Sequence, residues 1–79
     1  SSSYLMRRFK AEVGMSVGDY ITKCKLEEAC DLLVYGSRSL AEISAYLGYS
    51  SQSYFQNVFK KQYGMTPMQY RKANRKTNL

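Results

Sequence analysis

Residues 51–70 have the sequence SQSYFQNVFKKQYGMTPMQY, and a related stretch, SSSYLMRRFKAEVGMSVGDY, opens the chain at residues 1–20. At an offset of fifty residues, eight of these twenty positions are identical, far more than unrelated segments share. The shared residues are the Ser, Ser, Tyr, Phe, Lys, Gly, Met and Tyr at positions 1, 3, 4, 9, 10, 14, 15 and 20. Such a repeat indicates that one helical unit occurs twice, with only the second copy complete.

The segment before the second copy, SLAEISAYLGYS at residues 39–50, predicts a short helix followed by a turn. Ser39 and Glu42 match the capping box that begins a helix, and Gly48 suits the turn. The next helix then starts near Ser51, which gives the order helix, turn, helix. Helices joined by glycine turns occur in any small helical bundle, so this order alone does not establish a function.

The helix predicted after Ser51 has two different faces. Its polar and apolar side chains separate at about 100° per residue. The polar face carries Gln52, Ser53, Gln56, Asn57 and Lys60, and the opposite face carries Phe55, Val58 and Phe59. Amide and hydroxyl side chains are suited to bond base edges in a major groove. A merely solvated polar face is the alternative, which the duplication and the basic residues disfavour.

The net charge of +6, with a pI near 9.5, favours a polyanionic partner such as nucleic acid or an anionic membrane. The acidic residues are concentrated in the middle of the chain, at Asp19, Glu27, Glu28 and Asp31. The basic residues Arg7, Arg8, Lys10, Lys60 and Lys61 lie on the two repeated helices, and Arg71, Lys72, Arg75 and Lys76 form a tail. No apolar run reaches the length of about eighteen residues that spans a bilayer, and no signal-peptide pattern is found. The sequence therefore predicts a soluble, cytoplasmic protein.

The sequence predicts neither an enzyme nor a metal protein. Cys24 and Cys30 are six residues apart on one predicted helix, roughly 9 Å along its axis, which is too far for a disulfide. With no His and no CxxC motif, a zinc site is not expected. No nucleophile with a nearby base, carboxylate dyad or phosphate-binding glycine loop is found, so we predict no catalytic residue and no cofactor.

The remaining helices follow from caps and apolar spacing. Gly14 is expected to end the first helix at a left-handed cap, as Gly64 ends its twin. A long helix is predicted to end before Gly36. Arg8 stands where the second copy has Val58, so Arg8 either flanks the core and reaches a phosphate or marks a looser first unit.

Taken together, these residues resemble the DNA-binding domain of the AraC/XylS family of bacterial transcription regulators, over nearly the whole chain. The resemblance is carried by Lys25-Leu26-Glu27-Glu28-Ala29, Leu32-Leu33, Leu40-Ala41-Glu42-Ile43-Ser44, Leu47-Gly48-Tyr49, Ser53-Tyr54-Phe55, Phe59-Lys60-Lys61, Gly64-Met65-Thr66-Pro67 and Tyr70-Arg71. Three positions depart mildly from the family pattern: Lys25 replaces Arg, Ser44 replaces Ala and Tyr49 replaces Phe.

The resemblance implies an all-α fold of two helix-turn-helix units with homeodomain-like three-helix subdomains, within one domain at 1–79. Residues 1–15 would be the remainder of the first unit, 16–35 the connecting helix, and 39–79 the second unit with the C-terminal helix. Two further helices would precede residue 1, which would leave Leu5 and Phe9 poorly covered. The chain would then be part of a longer regulator with a separate effector-binding or phosphoryl-sensing domain.

The resemblance also implies specific roles in binding double-stranded DNA and in regulating transcription, with activation favoured and often with contact to RNA polymerase. Two recognition helices would enter successive major grooves. The base-reading residues carried over are Ser3, Met6, Arg7, Gln52, Ser53, Gln56 and Asn57. The phosphate contacts would be Lys10, Lys60 and Lys61. A basic helical protein-interaction module and a nonspecific DNA binder are the alternatives.

Overall fold

Five α-helices make up the described part of the chain, residues 1–75 of a computed structural model. The helices are α1 (Ser2–Val13), α2 (Val17–Tyr35), α3 (Leu40–Tyr46), α4 (Gln52–Tyr63) and α5 (Pro67–Asn74). No strand occurs within these residues, so the predicted all-α class is confirmed. Lys76, which the sequence analysis placed in the basic tail, lies outside the described residues.

Each helix begins at a hydroxyl side chain that accepts a hydrogen bond from the backbone N–H three residues later. These caps are Ser1, Ser16, Ser39, Ser51 and Thr66. At Ser39 the capping box is complete, because the Ser39 N–H also donates to Glu42 Oε1 at 2.9 Å. The same bonds lower the pKa of the Glu42 carboxyl below its usual value. Side-chain capping therefore fixes where each of the five helices begins, and the predicted Ser39–Glu42 capping box is confirmed.

Glycines in the left-handed conformation end the two repeated helices. Gly14 has φ 91° and Gly64 has φ 76°, and their N–H groups donate to the carbonyls of Lys10 and Lys60 at 2.8 and 2.7 Å. Residues with a Cβ are strained at such angles, so glycine is the residue that closes both helices here. The predicted equivalence of the two helix ends is confirmed.

The buried core is built from α2, α3 and α4, together with Leu47 directly after α3. It is formed by Leu26, Ala29, Leu33, Leu40, Ile43, Leu47, Phe55 and Phe59. Only the C-terminal half of α2 contributes to this core, and α5 packs against α2 with Pro67 buried. The helix-turn-helix formed by α3 and α4 is thus held on one end of α2.

Helix α1 is much less covered than its repeat partner α4, and none of its residues is buried. Leu5 is 64% exposed, whereas Phe55, its equivalent at the fifty-residue offset, is 0% exposed. One contact is nevertheless kept in both copies: an edge-on ring pair with centroids 5.5 Å apart, formed by Phe9 with Tyr20 and by Phe59 with Tyr70. Each repeated helix is therefore tied to the following helix in the same way.

The described chain is elongated, with extents of 51 × 23 × 20 Å. The 19 residues of α2 account for roughly 28 Å at 1.5 Å per residue. Within residues 1–75, no helix has the length and apolar character needed to cross a membrane.

Candidate nucleic-acid interface

Helix α4 presents a row of accessible polar side chains because its opposite side is fixed in the core. Phe55 and Phe59 are fully buried, and their rings lie 6.0 Å apart. The side chains predicted to contact DNA from this helix are therefore held on a rigid element. Gln52, Ser53, Asn57, Lys60 and Lys61 are exposed, whereas Gln56 is half-buried.

Helix α1 carries the other predicted contact residues, and all of them are exposed. They are Ser3, Met6, Arg7 and Lys10. Met6 is 56% exposed, so this helix offers an apolar side chain where α4 offers Gln56. The two helices would consequently contact different base edges, since a thioether cannot make the bidentate bonds of an amide.

Arg8 is engaged within α1 and does not flank the core. Its Nε donates to Glu12 Oε1 at 2.9 Å, and its Nη1 donates to the Tyr4 hydroxyl at 3.2 Å. Val58, at the equivalent position of α4, is half-buried against the core. Of the two interpretations of Arg8, the structure favours a looser first unit.

The cationic side chains of the two helices are otherwise free of carboxylate partners. Among residues 1–75 the one ion pair is Arg8 with Glu12. Lys10 and Lys60 are thus available for a phosphate contact. Lys61 differs, because it lines a groove between α2 and α4 together with Asp19 and Thr22. A carboxylate that lines the same groove lowers the local positive potential around Lys61 and would weaken its attraction for a phosphate.

The turn between α3 and α4 is fixed by Tyr49. Its N–H donates to the Ser44 carbonyl at 2.9 Å, and its ring lies 5.4 Å from the Phe55 ring. Lys25 Nζ lies 5.2 Å from the centre of the Tyr49 ring, a cation–π contact from α2. Contacts from α2, α3 and α4 therefore fix the turn that precedes α4.

The hydroxyl of Tyr49 is buried and has no hydrogen-bond partner within the described residues. Burial also raises the pKa of this phenol. Phenylalanine would make the same ring contacts, so Tyr49→Phe tests whether the hydroxyl costs stability.

Two exposed tyrosines were not assigned by the sequence analysis. Tyr4 and Tyr54 occupy equivalent positions of the repeat and are 51% and 55% exposed. Each is next to predicted contact residues on its own helix. The signal for them in the sequence is the identical tyrosine at matched positions of the repeat.

Other sequence expectations are changed by the structure. Cys24 is exposed and Cys30 is half-buried. Arg71, which the sequence groups with the basic residues of the tail, is buried. Within the described chain, His, Cys, Asp and Glu side chains form no group of three that could hold a metal ion.

These features agree with comparisons to known proteins. The family model described as a helix-turn-helix domain matches residues 1–73. The chain is therefore a helix-turn-helix protein. It belongs to the AraC/XylS family of transcription regulators, a family of DNA-binding proteins and not of enzymes.

Relatives and solved structures indicate how the chain fits into this family. The xylose operon regulatory protein of Escherichia coli K12 is 46% identical over 79 residues, which is all of this chain and 20% of that protein. The chain thus spans about a fifth of the length of this curated relative.

Two solved structures share the fold over most of the chain. The C-terminal domain of AraT, a response regulator from Geobacillus stearothermophilus, has a TM-score of 0.94 at 37% identity, with 99% of this chain and 64% of that one covered. The DNA-binding domain of AdpA, in complex with a target DNA, has a TM-score of 0.87 at 26% identity, with 92% and 66% covered.

Proposed function

We propose that this chain binds double-stranded DNA sequence-specifically and regulates transcription, with α1 and α4 as recognition helices in successive major grooves. The observation that carries the proposal is the equivalence of these two helices. Each is capped by serine, closed by glycine, tied to the next helix by the same ring pair and lined with accessible polar side chains. The AdpA domain, a structural neighbour bound to a target DNA, supports it.

Within this proposal, base edges are contacted by Ser3, Met6, Arg7, Gln52, Ser53, Gln56 and Asn57. Lys10, Lys60 and Lys61 contact phosphates, which position the protein without specifying sequence. Residues 1–15 and 39–79 are the two reading units, and 16–35 connect them. The half-buried Gln56 and the groove position of Lys61 make these two residues the weaker contributors to DNA binding.

The whole regulator is proposed to act in the cytoplasm as an activator that contacts RNA polymerase. A separate effector-binding or phosphoryl-sensing domain would control it. The names of relatives support this extension, since they include a xylose operon regulatory protein and transcriptional activators.

The test is selection of bound duplexes from a random pool by the intact chain. We expect the selected sequences to share two conserved segments about ten base pairs apart, one for each recognition helix. Enrichment of no sequence would support a nonspecific DNA binder. Failure to retain any duplex at physiological salt would support the protein-interaction module instead. In that case the basic faces would bind an acidic protein.

A further inference from the structure

Arg71 is a buried cation with no carboxylate partner in the described chain. It is 8% exposed, although it follows Tyr70 on the short helix α5. Its Nε donates to the carbonyl of Leu33 at 3.1 Å, and its Nη2 donates to the carbonyl of Arg38 at 2.6 Å. A guanidinium suits this role because its planar group of N–H donors can bond two acceptors in fixed directions. Loss of solvent also lowers the pKa of Arg71 from its ordinary value.

The two carbonyls lie on either side of the break between α2 and α3. Leu33 belongs to the last turn of α2, whose carbonyls have no partner within the helix. Gly36 ends α2 in an extended conformation, with φ −130°, so α2 lacks the left-handed cap that closes α1 and α4. Arg38 immediately precedes Ser39, the N-cap of α3. One side chain therefore holds the end of α2 and the start of α3.

Within residues 1–75, this connection occurs in the second unit and has no equivalent in the first. The position fifty residues before Arg71 is Ile21, which is 48% exposed. Because α3 packs directly against α4, a shift of the start of α3 would be carried to α4 as well. The direction of α4 relative to α2 is therefore set partly by the two hydrogen bonds of Arg71.

We infer that Arg71 is a positioning residue that fixes the second helix-turn-helix on α2 and thereby sets the spacing between the DNA segments read by α1 and α4. The inference rests on the proposed function. Arg71 itself makes no contact with DNA in this inference. The residue acts through the positions of α3 and α4.

The experiment repeats the random-duplex selection with the intact Arg71→Lys chain. Lysine keeps the charge but has a single ammonium group, which cannot reproduce the planar, two-directional donation of the guanidinium. We expect the variant to select the same segment for α4 as the unaltered chain, with the spacing to the other segment spread over several base pairs. Arg75→Lys is the matched control, since it makes the same chemical change at an exposed residue of the helix end.

A second variant tests the same geometry without changing Arg71. Insertion of one glycine between Ser37 and Arg38 lengthens the break, so that the guanidinium no longer reaches both carbonyls in their present arrangement. It is expected to broaden the spacing as Arg71→Lys does, and it serves as the test if Arg71→Lys does not fold. An unchanged, sharp spacing in a folded variant would overturn the inference. Failure of the unaltered chain to select two segments would instead count against the proposed function.

Discussion

Asn57 and Lys60 are neighbours on the accessible face of α4, yet they are expected to contribute differently to binding. Asn57→Ala should relax selectivity at one or two base pairs, with a loss of about 1–3 kcal/mol against the preferred base, because an amide reads a base edge. Lys60→Ala should weaken binding to all duplexes and reduce the salt slope by about one, because it removes a phosphate contact. Binding titrations on the selected duplex and on single-base variants at several salt concentrations distinguish the two effects. An unchanged ranking of sites with Asn57→Ala would remove this residue from the set of readers.

Tyr49 permits a test of an unsatisfied buried group. Tyr49→Phe keeps the ring contacts with Phe55 and Lys25 and removes only the hydroxyl that lacks a partner. The free energy of unfolding should rise by about 1 kcal/mol, since a buried polar group without a hydrogen bond costs about 1–3 kcal/mol. Urea denaturation at neutral pH measures the change. A loss of stability would mean that the hydroxyl is hydrogen-bonded in solution.

The same substitution has an expected pH dependence. The folded state raises the pKa of Tyr49 by burial, so it favours the neutral phenol. The resulting stability is complete below the unfolded pKa of about 10 and is lost as the pH rises through the folded pKa. Tyr49→Phe should therefore lose less stability than the unaltered chain as the pH rises above about 10.

At the level of the helices, the repeat supplies a matched pair of core substitutions. Phe55→Ala should destabilise the fold by about 3–5 kcal/mol, because it removes a fully buried ring. Leu5→Ala, at the equivalent position of α1, should change stability by no more than about 0.5 kcal/mol, because Leu5 is largely exposed. Chemical denaturation of both variants checks this contrast, and hydrogen exchange should show weaker protection in α1 than in α4. Equal losses of stability for Phe55→Ala and Leu5→Ala would mean that α1 is covered in solution.

Much of the helical architecture was predictable because its determinants are local. The hydroxyl caps act over three residues, and the glycines at 14 and 64 close their helices by their own backbone conformation. The burial of Arg71 was not predictable in this way. Its two acceptors are 38 and 33 residues away in sequence, and a run of basic residues at a helix end is more often solvated.

The candidate DNA-binding residues were also predictable in part. Helical periodicity separates the polar side of α4 from Phe55 and Phe59, and the repeat transfers the same assignment to α1. Periodicity does not reveal that Gln56 is half-buried or that Lys61 and Asp19 line the same groove. Both facts depend on how the helices pack against one another, which requires the tertiary structure.

For the whole molecule, the length of α2 sets a prediction for DNA spacing. Its 19 residues rise roughly 28 Å, and with the turns on either side we expect the recognition helices to be separated by about one duplex turn, about 34 Å. The two segments should then lie on the same side of the duplex in direct order. Inserting five base pairs between them rotates one segment to the far side and should abolish two-unit binding. Undiminished binding in a mobility-shift assay would show that only one unit makes specific contacts.

The elongated shape also limits how closely such molecules can be placed on DNA. Laid along the duplex, the 51 Å axis covers about fifteen base pairs at 3.4 Å per step. The narrow extents of the described chain, 23 and 20 Å, are close to the width of the duplex, so a copy bound in this way would occupy one side and leave the other open. Two copies on the same side would therefore exclude each other from sites closer than about fifteen base pairs. A copy displaced by half a turn could bind opposite the first, which makes the density of neighbouring sites on a promoter depend on helical phase.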